Sequence, residues 1–177
     1  MFLWRQLPNL ISISRFLLTP VAVGALLRGD DRTAFWVSLA AGATDFLDGG
    51  LARWMGAQSR TGAVLDPLAD KFMLDSLYLT LSLFRGQWVG WVVVLRDLFI
   101  VGGSLYIATR TGRRDFPPSG WGKLSTLFQI AWILFYLGDW PGQAICFWLM
   151  LSTTVFSGAD YARLGLRLLQ LRPKIGN

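Results

Sequence analysis

The chain has 177 residues, 53% hydrophobic and 16% charged, with nine Trp and twelve Phe. Its mean hydropathy is +0.44, whereas charged residues alone make up roughly 25% of an average soluble domain. All eleven acids are Asp and there is no His, which excludes histidine metal sites, histidine bases and Ser-His-Asp triads. Cys146 is alone, so neither a disulfide framework nor a Cys-rich metal site can form. The net charge of +6 is assigned to cytoplasmic loops facing anionic headgroups, with no nucleic acid partner.

Long apolar runs broken by short charged or Gly/Pro turns predict an all-α integral membrane protein. Each span needs about 20 residues. Residues 1–8 (MFLWRQLP) suit a short N-terminal interfacial helix. The next run contains Arg15 and Pro20 and no cleavage site follows, so it is a retained first span rather than a signal peptide. Span 1 covers about 9–27, span 2 about 33–55 and span 3 about 61–84. Span 4 covers about 87–109, span 5 about 119–138 and span 6 about 141–163. The turns are RGDDR (28–32), FRGQW (84–88), RTGRRDFPPSG (110–120) and GDWPG (138–142). Only span 6 offers twenty consecutive uncharged residues, 140–159, so a hydropathy window alone undercounts the spans. The whole chain, 1–177, is expected to form a single membrane domain.

With the N-terminus inside, twelve basic residues fall at cytoplasmic ends and three (Arg28, Arg32, Arg85) on the other side. Trp4, Trp54, Trp88, Trp121 and Trp140 suit interfacial belts. The basic, amphipathic tail RLGLRLLQLRPK suits the inner leaflet. Lys71 and Asp75, four apart on span 3, are expected to pair.

Four acids break the apolar pattern of spans 2 and 3: Asp45, Asp48, Asp66 and Asp70. A carboxylate at membrane depth is costly without a cation or partner. Three- and four-residue spacings put each pair on one helix face. Gly49, Ala52 and Gly62 are small residues that let a ligand or helix approach the backbone. Four oxygen donors suit two Mg2+ or Mn2+ ions rather than Zn2+. Both pairs fall on the cytoplasmic halves of their spans, within reach of a water-soluble headgroup. The alternative is that Arg53, Lys71 or Arg96 neutralise them as structural partners.

The string is Asp45, two residues, Asp48-Gly49, two residues, Ala52-Arg53, eight residues, Gly62, three residues, Asp66, three residues, Asp70. It resembles the signature of the CDP-alcohol phosphatidyltransferases at all eight specified positions. At residue frequencies of about 5–9%, a chance match at a given start is on the order of one in 10^9 or rarer. Pro8-Asn9 followed by Arg15 also resembles this family. The resemblance implies a bacterial inner-membrane enzyme, active site facing the cytoplasm, that displaces CMP from CDP-diacylglycerol with an alcohol. It implies Asp45, Asp48, Asp66 and Asp70 as ligands of two divalent ions and Asp70 as the base for the acceptor hydroxyl. It implies Gly49, Ala52, Arg53 and Gly62 around the CDP moiety, and a homodimer.

The acceptor is less determined. Arg96, inside span 4, and Lys123, opening span 5, are candidate acceptor-binding cations; an Arg96–Asp97 ion network is the equal alternative. Glycerol 3-phosphate is the favoured acceptor, as in phosphatidylglycerophosphate synthases. Arg96-Asp97 and a single Lys123, with Ser125 two places on, look instead like CDP-type cardiolipin synthases, whose acceptor is phosphatidylglycerol. Inositol phosphate and serine are less favoured. Rival classes are an aspartate-rich prenyltransferase, expected to have more spans and other spacing, and a cation transporter, whose acids should line a path across the bilayer.

Overall fold

The computed structural model describes the backbone of residues 7–55, 62–111 and 119–170, and the side chains of 15–43, 71–110 and 119–170. The described backbone is all helical: α1 (Leu7–Leu27), α2 (Asp31–Met55), α3 (Gly62–Arg85), α4 (Val89–Thr111), α5 (Gly120–Leu137) and α6 (Gln143–Gln170). Residues 1–6 of the expected interfacial helix lie outside the described residues; Leu7 and Pro8 already belong to α1.

Local chemistry sets the ends. α1 stops at Gly29, whose φ of +77° is a left-handed conformation that glycine adopts without a Cβ penalty. Gly29 N–H donates to Leu26 O (3.1 Å) and Asp30 N–H to Ala25 O (2.9 Å), satisfying carbonyls at the helix end. Asp30 caps α2 by accepting from Thr33 N–H at 3.0 Å. Hydrogen bonds from the Thr33 side chain and backbone hold the Asp30 carboxyl below its ordinary value. Ser119 caps α5 the same way, accepting from Gly122 N–H at 3.0 Å. Arg85, at the end of α3, donates to Asp31 Oδ2 (2.8 Å) and Leu26 O (3.0 Å), tying three helix ends together.

The packed pairs are α1 with α2 and α3, α3 with α4, α4 with α6, α6 with α5, and α5 with α2. They close into a ring in the order α1, α2, α5, α6, α4, α3. Tyr78 and Trp132 stack at 5.5 Å inside it, and Tyr78 donates to Gln129 O at 3.0 Å. Ser125, Gln129 and Thr154 are fully buried and hydrogen-bonded to one another. Large apolar residues point outward instead: Val101, Leu105, Ile145 and Trp148 are exposed. The core itself is mainly apolar, so it is the many large apolar residues outside that depart from the usual surface of a soluble domain.

Val89–Arg110 is, among the described residues, the helix long and apolar enough to cross a membrane by length and composition, and 22% of that stretch is buried. The uncharged window at 140–159 is not one helix. Gly142 has φ +96° and α6 begins only at Gln143, so the turn at Trp140–Gly142 takes the first residues of that window. At its other end α6 runs on to Gln170, so the first eight residues of the basic tail continue the helix rather than start a new one. Gly165 there lies under Ile107 of α4.

The α3–α4 corner depends on Gly90. A Cβ at that position would lie 2.2 Å from both Tyr78 O and Ser82 Oγ. Gly90→Ala is expected to destabilise the fold by about 3 kcal/mol, the upper end for overpacking. Gly102→Ala, with nothing within 4 Å, should be neutral or stabilising. Thermal unfolding in detergent checks both; equal midpoints would contradict the close approach.

Candidate functional site

Asp45 and Asp48, with Gly49, Ala52 and Arg53, lie on the last turns of α2; Gly62 opens α3, which carries Asp66 and Asp70. The side chains of all eight lie outside the described residues. Both helices are continuous through these positions, so the three- and four-residue spacings place each acid pair on one helix face by register. The donor set fits hard divalent cations: carboxylate oxygens only, two on each of two helices.

The same faces can be followed into the described part of the bundle. Ala41 and Gly42 lie four and three residues before Asp45, and Leu74 lies four residues after Asp70. These residues line a cavity of about 320 Å3, together with Arg15 of α1 and Thr126 of α5. Arg15 is buried, a cation held at the inner wall of α1. The aspartate-bearing faces therefore continue, one turn along, into the wall of a half-open cavity.

A second cavity, of about 780 Å3, shares Lys71 and Thr126 with the first. Its charged lining is Lys71, Asp75, Arg96, Asp97 and Lys123. Asp97 is buried and central: Lys71 Nζ donates to its Oδ2 at 2.5 Å, and the Arg96 guanidinium donates to its Oδ1. Arg96 also donates to Ser157 Oγ of α6. Both candidate acceptor cations, Arg96 and Lys123, thus face one cavity. Arg96 is engaged by Asp97 and Ser157, as in the ion-network alternative, while Lys123 is exposed and makes no ion pair among the described residues.

Lys71 bonds to Asp97 rather than to Asp75. A Lys placed N-terminal to its acid is the weaker order on a helix, and buried Asp97 has the greater need of counter-charge. Asp75 sits within the electrostatic reach of Asp97, Lys71 and Arg96. Sequence reasoning named the Arg96–Asp97 network but missed Lys71 as its further member and Ser157 as its α6 partner. Neither offers a local signal, since Lys71 lies 26 residues from Asp97 and Ser157 is only a small polar residue.

Tyr161 forms part of the same wall. Its hydroxyl accepts from Ser119 N–H at 3.4 Å, and a Cβ at Gly122 would meet its ring at 3.3 Å. Tyr161 on α6 thereby holds the N-terminus of α5, which presents Lys123 to the cavity.

Residues 5–157 match the model of the CDP-alcohol phosphatidyltransferase family. The chain is 34% identical over 197 residues to the chloroplastic CDP-diacylglycerol--glycerol-3-phosphate 3-phosphatidyltransferase 1 of Oryza sativa, covering 96% of this chain and 59% of that protein. It is 31% identical over 127 residues to the enzyme of that name from Aquifex aeolicus, with 70% of each chain covered. A cardiolipin synthase (CMP-forming) of Rattus norvegicus is 36% identical over 108 residues, 59% of this chain and 36% of that protein. The chain thus spans little more than half of the rice protein and about a third of the rat one. A match that runs from before α1 into α6 covers the aspartate string, the first cavity and all of the second but Tyr161, and on that ground the chain belongs to the CDP-alcohol phosphatidyltransferase family.

Proposed function

We propose that the chain is an integral-membrane enzyme of phospholipid biosynthesis that transfers the phosphatidyl group of CDP-diacylglycerol to a glycerol-based alcohol and releases CMP. The observation that carries this reading is the family's eight-residue string lying in register on two regular helices beside a cavity. Six helices of 18 to 28 residues, about 27–42 Å long at 1.5 Å per residue, match a hydrocarbon core of about 30 Å. Outward apolar faces and the bias of basic residues support six spans with the N-terminus inside; the membrane proposed is a bacterial inner membrane.

In this reading Asp45, Asp48, Asp66 and Asp70 hold two divalent ions, Mg2+ or Mn2+, which supply Lewis-acid stabilisation of the diphosphate. Gly49, Ala52 and Gly62 leave space for the cytidine nucleotide, and Arg53 offsets phosphate charge. Asp70 accepts the proton of the acceptor hydroxyl as its oxygen bonds to phosphorus and the bond to CMP breaks. Arg96 and Lys123 attract the acceptor's phosphate into the larger cavity.

Glycerol 3-phosphate is the leading acceptor, supported by relatives so named that match 96% and 70% of the chain. One observation favours phosphatidylglycerol as the second reading. Asp97 pairs with both Lys71 and Arg96, which lowers the positive charge they offer an acceptor, and exposed Leu98, Val101 and Leu127 line the same cavity. That lining suits a singly charged phosphodiester with apolar tails better than a phosphate monoester.

Asp70→Asn is expected to lower transfer by at least about 10²-fold, the scale of a lost general base, while the protein stays folded and binds CDP-diacylglycerol. Near wild-type turnover would remove Asp70 from the role of base. Purified enzyme given CDP-diacylglycerol with each acceptor separately should yield phosphatidylglycerophosphate from glycerol 3-phosphate. Cardiolipin formation from phosphatidylglycerol alone would replace the leading acceptor with the second.

A further inference from the structure

Beyond the charged cavity, α4 and α6 border an apolar groove of about 350 Å3. Phe99, Gly103, Tyr106 and Ile107 line it from α4, Gly165 and Leu169 from α6, and no charged residue lines it. Phe99 to Ile107 is eight helical rises, about 12 Å along the axis. Its floor is low because it lacks side chains: a Cβ built on Gly103 meets nothing within 4 Å. The walls are high, with Phe99, Tyr106 and Leu166 all more than half exposed. A trough this open does not enclose a small soluble ligand, whose pockets bury most of its surface. It suits a flexible hydrocarbon chain lying along the helices.

The inner end of the groove is basic. Arg110 closes α4 with its guanidinium 5.5 Å from the centre of the Tyr106 ring, and it is exposed. Arg163 and Arg167 are exposed along the same stretch of α6. Hydrocarbon in the trough and negative charge at its cytoplasmic end together describe one kind of molecule.

We infer that the α4–α6 groove seats an acyl chain of an anionic phospholipid, with its phosphate held by Arg110. The inference rests on the membrane-spanning reading above. It has a consequence for the enzyme, because Ile100 and Tyr161 line both this groove and the charged cavity. A chain in the groove packs against the far side of Tyr161, the residue that holds Ser119 and the start of α5. The bound lipid thereby braces one wall of the cavity that faces Lys123.

Photo-crosslinking tests this with the full chain in phosphatidylcholine vesicles doped with a probe carrying a photoreactive acyl chain. The probe is built on phosphatidylglycerol in one arm and on phosphatidylcholine in the other, and labelled peptides are mapped by mass spectrometry. The anionic probe should label 99–107 and 161–169 several-fold more than the zwitterionic one. Gly103→Leu fills the groove and should lose this labelling. Gly102→Leu, which has equal space but lies outside the lining, should keep it. Arg110→Gln should equalise the two probes. Equal labelling of the two glycine variants, or no headgroup preference in the wild type, overturns the groove. Release of the protein by alkaline carbonate, with no labelling anywhere, overturns the membrane reading instead.

Discussion

A buried carboxylate with two cations from different helices fixes much of this molecule. Asp97 of α4 takes Lys71 of α3 on one oxygen and its own neighbour Arg96 on the other, and Arg96 reaches across to Ser157 of α6. Removing one partner from such a group typically costs about 3–5 kcal/mol, because the remaining charge stays buried. The bond also sets the placement of α3 against α4, and α3 is the helix that carries Asp66 and Asp70. The register of the candidate metal ligands is therefore coupled to a charge pair that begins at Lys71, the residue directly after Asp70 on the same helix.

The rest of the bundle likewise pairs its buried polar groups with one another, inside a mainly apolar core. Ser125, Gln129 and Thr154 satisfy one another where no water reaches, and Tyr78 hydrogen-bonds to the α5 backbone while stacking on Trp132. These contacts tie α3, α5 and α6 together inside the ring. Beside them the helices leave two cavities that meet at Lys71 and Thr126, one bordering the aspartate faces and the other lined by Arg96 and Lys123. A donor and an acceptor entering from separate sides would meet at α3, the helix that carries the proposed base.

The helices were legible in the sequence because Gly, Pro and charged turns punctuate it. Expected and observed ends differ by only a few residues from α1 through α5. The misjudged parts have physical causes. The tail after Tyr161 looked like a surface segment by its charge, but Gly165 lets it stay packed under Ile107, so α6 continues to Gln170. Lys71 and Asp75 fit a helical pair by spacing, and only the tertiary structure reveals that Asp97 competes for the same lysine. The aspartate string was readable because four acids are rare in an apolar run and their spacing matches the family's signature. The acceptor was not, since anion binding by Arg96 depends on how far Asp97 neutralises it.

The central claim is that four aspartates serve divalent ions in releasing CMP. Chelator-stripped enzyme in liposomes, given CDP-diacylglycerol and acceptor, tests it directly when CMP and cation flux are followed as Mg2+ or Mn2+ is titrated back. The account predicts no CMP after stripping, restoration by the added ion, and no flux across the bilayer. CMP release that is indifferent to chelation, or cation flux without CMP, would contradict it.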